Sequence, residues 1–534
     1  MRNRYPRPEV GPAAMEAHTH CPRKLFGEAD EKFREIKDML TSESALEFSH
    51  SELEVMLADQ TRELTRLLAQ AHLDLRRGLE EPPAQVVGTD GQARTHRRRR
   101  SRDLVCVFGL VQVARVAVGG RGMDSLMPMD SELNLPSTRY SMGVQRCLVE
   151  EAVRGSFDDA IAAVERTTGV RVPKRQAEEM VLDAAGEFDI FYAAGGGQLH
   201  LEDAPDDGLL VLTVDGKGIT MRPDALREQT RKAAESSTTK LKKRLSKGEK
   251  RNRRRMATVA SVYTVAPFPR GPTDIVRELR PVRNVEAPRP PRPHNKRVWA
   301  SVTKDMETVI EEMFAEATRR DPDHRKRWVA VVDGNKTQLR LLKDYAAKYG
   351  VELTIILDVI HAIEYLWRAT TAVHGEGKPE TERIVTERLL KVLDGKAVDV
   401  AAGIKQSASK RELKGKKRKR VVKAADYLLT NAEFLGYGEF LSAGLPIASG
   451  VIEGTCRYLV KDRMDITGAR WGLDMAEAVL KLRAMKASGD LEHYWRFYER
   501  QHWDRVHASR YEHEKPPITV PKDTPALRLL REAA

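Results

Sequence analysis

The chain has 534 residues, 41% of them hydrophobic, with 91 Lys and Arg against 78 Asp and Glu and a formal net charge of +13. That length exceeds one simple core and predicts two to four domains, while the positive balance and a pI of about 9.4 favour a polyanionic partner over an acidic-ligand one. No apolar run approaches the ~18 residues of a spanning helix, and the opening MRNRYPRPEVGPAAMEAHTHC has no apolar signal region, so neither a membrane span nor export is expected.

Cys21, Cys106, Cys147 and Cys456 are scattered and form no CxxC pair. A reducing cytoplasm is expected, without a disulfide framework or a structural zinc site. Residues 1–40 mix Pro, Gly and charge with little periodicity and predict a flexible arm. Residues 41–195 predict a mainly helical region with a short β segment. In it Leu53, Met56, Leu57, Leu64, Leu67, Leu68 and Leu75 recur at helical spacing. Arg97–Arg100 form a basic knot ahead of LVCVFGLVQVARVAV, one or two strands with Gly109 at a bend. Such a knot is usually a solvated loop, and a phosphate contact is the other reading.

Residues 140–192 read as helices. SFDDAIAAVERTTGVRVPKRQAEEMV outlines a helix-turn-helix, with the turn at Gly169 and a second helix opened by Pro173. Lys174, Arg175 and Gln176 at its start are candidate base readers in a DNA major groove. Any helical hairpin with a glycine turn would match the same outline.

The AAGGGQ run and the acidic LEDAPDD behave as a linker, after which the character changes. Leu209–Val214 is a continuous apolar strand leading to Asp215-Gly216-Lys217-Gly218, a carboxylate where a metal or phosphate can come close. The DGKG run lacks the spacing of a Walker loop. Lys240–Arg255 holds ten basic residues and one acid, among them Lys240, Lys242, Lys243, Arg244, Arg253, Arg254 and Arg255. Such a run is often only solvated, but its self-repulsion is compensated most simply by nucleic-acid phosphate.

A strand–helix–strand unit follows: a strand to Asp333 in RWVAVVDGN, then a strand to Asp358, which opens LDVIHAIEYLW. A parallel pair with a right-handed crossover brings both acids to one sheet edge. Asp358 and His361 form a D-x-x-H arrangement, which could equally be a helix cap with a satisfied polar pair. Residues 205–374 make the first part of an α/β core. Residues 375–445 are a helical insertion with a second basic run around Lys416, Lys417 and Arg418, and residues 446–512 return to the core. The tail, 513–534, is expected to be loose. In SGVIEGTCRYLVKDRMDITGARW, Ser449 can cap a helix. Glu453, Arg457 and Lys461 then stack along one face at steps of four, with Ile452, Leu459 and Val460 turned to the core. An ordinary surface salt-bridge ladder has the same pattern.

VDGKG, VVDGN, LDVIHAIEYLW and above all GVIEGTCRYLVKDRMDITGARW resemble bacterial insertion-sequence transposases of the DDE class, specifically the ISKra group, from about Val211 to Tyr511. The resemblance implies an RNase H-like α/β catalytic domain with an all-helical insertion, and three converging carboxylates: Asp215, Asp333 and Glu453. Two Mg²⁺ (or Mn²⁺) ions on those acids would serve phosphodiester cleavage, and the released 3′ end would then attack target DNA. Implied partners are double-stranded DNA, as terminal repeats and target, and further copies of the chain on that DNA, in the bacterial cytoplasm. Arg457 and Lys461 would meet phosphate, and Trp471 would stack on a base or lie in the core. The second acid is open between Asp333 and Asp358. In Mutator-like and related transposases a C/D-x-x-H signature follows the second acid, which assigns that acid to Asp333 and the signature to Asp358 and His361. A nuclease or resolvase of the same fold, and a non-catalytic transposase derivative, remain alternatives.

Overall fold

The computed structural model describes residues 25–197, 208–236, 253–279, 289–466 and 468–520. The chain divides into two compact units, Met1–Glu187 with Trp495–Ala534, and Phe188–Tyr494. It is a mixed α/β protein, and among the described residues no helix is long and apolar enough to cross a membrane.

In the first unit, α1 (Gly27–Leu40) lies against α2 (His50–Leu79). Ser49 opens α2 with a capping box: its hydroxyl accepts from Glu52 N–H, and the Glu52 carboxylate accepts from Ser49 N–H at 2.8 Å. Residues 27–40 are thus helix where a flexible arm was expected, and residues 1–24 of that expectation lie outside the described residues. Ala29 and Ile36 of α1 are buried, and packing on α2 stabilises a helix too short to persist alone.

Strands β1 (His96–Cys106) and β2 (Gly109–Gly120) form an antiparallel hairpin, and β3 (Met123–Leu126) pairs with the far side of β2. Gly109 turns the hairpin at φ +128°, a conformation side chains resist. Arg97–Arg100 are not a loop but part of β1, paired opposite Val118 to Arg115. Leu104, Val111 and Val113 pack with Met129 and Leu135 into a core. Helices α3 (Met142–Ala152), α4 (Phe157–Thr168) and α5 (Lys174–Ala184) pack on one another. Gly169 ends α4 in the left-handed conformation, φ +69°. The link to α5 spans residues 169–173, with Val170 and Val172 buried. It is longer than the three- or four-residue turn of a compact helix-turn-helix. The start of the expected loose tail is fixed. Thr519 is fully buried, its hydroxyl donates to Glu132 at 2.7 Å, and its carbonyl accepts from Glu81 N–H at 2.8 Å.

The second unit is built on a five-stranded sheet of β4 (Leu209–Thr220), β5 (Arg254–Val265), β6 (His294–Ser301), β7 (Trp328–Val332) and β8 (Leu353–Leu357). Their order is β8-β7-β4-β5-β6. The first three strands in sequence form an antiparallel meander, and β7 and β8 run parallel to β4. Helix α6 (Met306–Arg320) connects β6 to β7, and α7 (Lys336–Tyr349) crosses from β7 to β8. All five residues of β7 are buried, which accounts for the unbroken apolar run WVAVV. After β8 come α8 (Val359–His374), α9 (Pro379–Leu393), α10 (Ala397–Lys410) and α11 (Gly415–Thr430), with α8 and α10 both packed on α11. The helical reading of 375–445 matches these elements. The chain then enters α12 (Gly450–Thr455), a π-helical segment (Cys456–Lys461) and α13 (Leu473–Ser488).

Candidate active site at one sheet edge

Strand register assembles the acids. Thr213 of β4 is level with Val331 of β7, and Val332 of β7 is level with Leu357 of β8. Two residues beyond the first pair stand Asp215 and Asp333; one beyond the second stand Asp333 and Asp358. The three acids therefore share one height on the sheet. Asp215 does not end its strand, contrary to the sequence reading, because β4 continues to Thr220 along β5 with Asp215 opposite Val259. What ends is the parallel neighbour β7, and that frees the β7 side of β4 at Asp215. There Gln338 Nε2 from α7 donates to the Val214 carbonyl at 2.6 Å.

Asp215 is half-buried and oriented twice. Its Oδ1 accepts from Gly216 N–H at 2.6 Å, and its Oδ2 accepts from the Cys456 thiol at 3.4 Å. Burial, then the Asp215 carboxylate, push the Cys456 thiol well above its usual range, so it stays protonated and donating. Asp333 Oδ1 accepts from Asn335 N–H at 3.1 Å. Gly334, at φ +87°, turns the chain away behind Asp333, where a Cβ would meet the Leu357 methyls at 3.3 Å. Burial first and the Asp215 charge next raise the Asp333 carboxyl above the ordinary value, with His361 opposing. Glu453, exposed on α12, is raised by burial and by Asp358 and Asp215, and is lowered by the same His361. Asp215 thus acts on both other acids, and His361 faces two of the three.

Asp358 is different in kind. It is completely buried; Oδ1 caps α8 by accepting from Ile360 N–H at 2.9 Å, and Oδ2 accepts from the Ser449 hydroxyl. Ser449 therefore does not cap α12 with its side chain. Its hydroxyl is committed to Asp358, and only its carbonyl meets Glu453 N–H, at 3.0 Å. Among the described residues no three His, Cys, Asp or Glu side chains are gathered closely enough to hold an ion. The donor chemistry is nevertheless that of a hard dication: Asp215 and Asp333 at one sheet edge and Glu453 on α12 are carboxylates, and Asp333 and Glu453 are raised in part by like charge.

The Glu453–Arg457–Lys461 stripe is broken. The wider π turn over Cys456–Lys461 rotates the later residues away from α-helical alignment, and Arg457 approaches Asp462, five residues on, at 3.9 Å. Ile452, Leu459 and Val460 are buried as expected. Trp471 is 5% exposed, with Nε1 donating to the Met464 carbonyl at 3.0 Å and Arg463 over its ring, so base stacking by this ring is corrected to a core role.

Lys240, Lys242, Lys243 and Arg244 lie outside the described residues. Arg254 is exposed and Arg253 half-buried. Arg255 is structural, its Nε donating to the Val302 carbonyl at 2.9 Å. Lys416, Lys417 and Arg418 are exposed in the first turn of α11. Lys174, Arg175 and Gln176 are exposed at the start of α5, where Lys174 pairs with Asp158 at 2.8 Å and Arg175 with Glu179 at 3.0 Å.

Sequence reasoning missed Cys456, Ser449, Tyr427 and Tyr437. Tyr437 is fully buried, and its hydroxyl donates to the Leu357 carbonyl at 2.8 Å. Tyr427 of α11 stacks on Tyr365 at 4.0 Å. Burial, with Tyr365, Asp333 and Asp358, raises its phenol, whose oxygen is buried without a hydrogen-bond partner among the described residues. The insertion thus reaches back to the acids. In comparison with known proteins, no family model and no curated protein matches the chain.

Proposed function

We propose that the chain is a DDE transposase with an RNase H-like catalytic core, which cleaves DNA phosphodiester bonds at element ends and joins the 3′ ends to target DNA. The observation that carries this reading is the register that levels Asp215 with Asp333, with Glu453 within electrostatic reach of Asp215. The sheet supports the core assignment: an antiparallel meander followed by two strands parallel to its first member, with the acids at one edge.

Asp215, Asp333 and Glu453 would hold two Mg²⁺ or Mn²⁺ ions through carboxylate oxygen. Bound there, the ions supply an activated water and a stabilised leaving oxygen. The Cys456 thiol and Gly216 N–H hold Asp215 in orientation. His361 lies within electrostatic reach of Asp333 and Glu453 and opposes the rise of both carboxyls. Arg457 and Lys461, exposed on the π turn and no longer in line with Glu453, meet the phosphate backbone. The cations at the start of α11 crowd the positive end of a helix, an arrangement that bound phosphate relieves. Lys174, Arg175 and Gln176 read the element ends.

Incubating the protein with Mg²⁺, labelled element ends and a target plasmid tests this. Joined products are expected; cutting without joining would reduce the reading to a nuclease, and no cutting at all would remove the catalytic role.

A further inference from the structure

Strand β1 begins with a run unlike the rest of its sheet. Residues His96 to Ser101 are exposed on both pleat faces, and β1 is an edge strand in the order β1-β2-β3. Three other arginines of this region are committed internally. Arg94 pairs with Asp90 at 2.8 Å, Arg115 with Asp130 at 2.7 Å, and Arg102 donates to the Pro136 carbonyl at 2.7 Å. The side chains of Arg97 and Arg100 have no hydrogen bond or ion pair with any described residue, and that of Arg98 has only a 3.4 Å contact to Ser125 Oγ. Arg99 faces Glu80, whose Oε2 already accepts from Val116 N–H at 2.7 Å. Glu80 and Glu81 line an open cleft with Arg97, Arg98 and Arg99. Burial raises the Glu80 carboxyl to about 7 and weakens its charge, which leaves Glu81 as the main acid beside three arginines in the cleft.

We infer that Arg97–Arg100 form a sequence-independent docking strip for the phosphate backbone of duplex DNA. Residues on one face of an extended strand recur about 6.6 Å apart, on the order of the separation of neighbouring phosphates on one DNA strand, whose ~3.4 Å advance is measured along the helix axis and not along the backbone. Arg97 with Arg99, and Arg98 with Arg100, are such same-face pairs, and their long side chains reach out from an exposed edge strand toward phosphate. An edge strand gives phosphate access without unpairing the sheet. The choice of DNA among polyanions rests on the transposase reading; the free charge on the strip does not.

The test uses the full chain in EDTA, so that cleavage and metal play no part. Binding of a random 30-base-pair duplex is measured by fluorescence anisotropy across salt concentrations, for wild type and for two variants. One carries Arg97→Gln, Arg98→Gln, Arg99→Gln and Arg100→Gln; the other carries Lys at the same four positions. The Gln variant should bind at least tenfold more weakly at 0.1 M salt, with a log–log salt slope shallower by about 3 to 4 if all four meet phosphate. The Lys variant should keep nearly all the affinity. An unchanged slope in the Gln variant overturns the proposal. So does equal loss in both variants, which marks a structural role, or, when binding to phosphatidylserine vesicles is measured in parallel, a loss seen there and not on DNA. None of these outcomes affects the catalytic reading, which stands or falls on cleavage.

Discussion

The Ser449 hydroxyl donates to Oδ2 of Asp358, joining the residue before the Glu453 helix to the cap of the D-x-x-H helix. A second tie runs beside it, from Val359 N–H to the Ile447 carbonyl at 2.9 Å. The buried carboxylate thus fixes where α12 starts, and through it where Glu453 stands.

Substitution at this pair should act on stability. Asn at position 358 offers one oxygen where Asp offers two, so either Ile360 N–H or the Ser449 hydroxyl loses its acceptor. Asp358→Asn and Ser449→Ala should each destabilise the protein by about 1–3 kcal/mol. The double variant should lose less than the sum, because one bond is removed twice. Urea denaturation of the three proteins checks this; strict additivity would mean the two residues act apart.

Asp333 should behave in the opposite way. Its carboxyl is raised in the folded state, so the stability it contributes is full at low pH and is lost as pH rises through the folded value. At pH 7.5 in EDTA, Asp333→Asn should melt at or above the wild-type temperature, since Asn still accepts from Asn335 N–H. Added Mg²⁺ or Mn²⁺ should raise the wild-type melting temperature and leave the variant unmoved. A variant that melts lower in EDTA, or gains as much from the ions, contradicts the role given to Asp333.

Glu80 offers a pH test in the other unit. Burial, with Asp130 and Glu132 nearby, lifts its carboxyl to about 7 against Arg99 and the Val116 N–H bond. The unfolded chain ionises it near the ordinary value, so stability falls as pH rises between the two. Glu80→Gln keeps an acceptor for Val116 N–H and should raise the melting temperature at pH 8 while changing it little at pH 4.5. Equal shifts at both values would show that charge is not the cause.

The strand–helix–strand unit was legible because β7 is an unbroken apolar run and β8 a nearly unbroken one, LTIIL, each followed by Asp, and burial between neighbouring layers demands such runs. The helix α1 was also written in the sequence, as Ala29, Phe33, Ile36 and Leu40 at helical spacing, but charged neighbours and the Pro-rich start hid it. The π turn after Thr455 was not legible. Local spacing predicts an α-helix there, and only tertiary packing of Cys456, Leu459 and Val460 selects the wider turn. Ser449 looked like a cap for the same reason: its actual acceptor is 91 residues earlier in the chain. Cys456 meets Asp215, and Tyr427 feels the charges of Asp333 and Asp358, across sequence separations that no window can show.

Nicking of a supercoiled plasmid carrying element ends, in Mg²⁺, by wild type, Asp333→Asn and Asp358→Asn is the most direct measurement. Wild type should cut, Asp333→Asn should not cut although it binds the ends normally, and Asp358→Asn should cut slowly in proportion to its lost stability. Robust cutting by Asp333→Asn with none by Asp358→Asn would move the second acid to Asp358 and contradict the site described here.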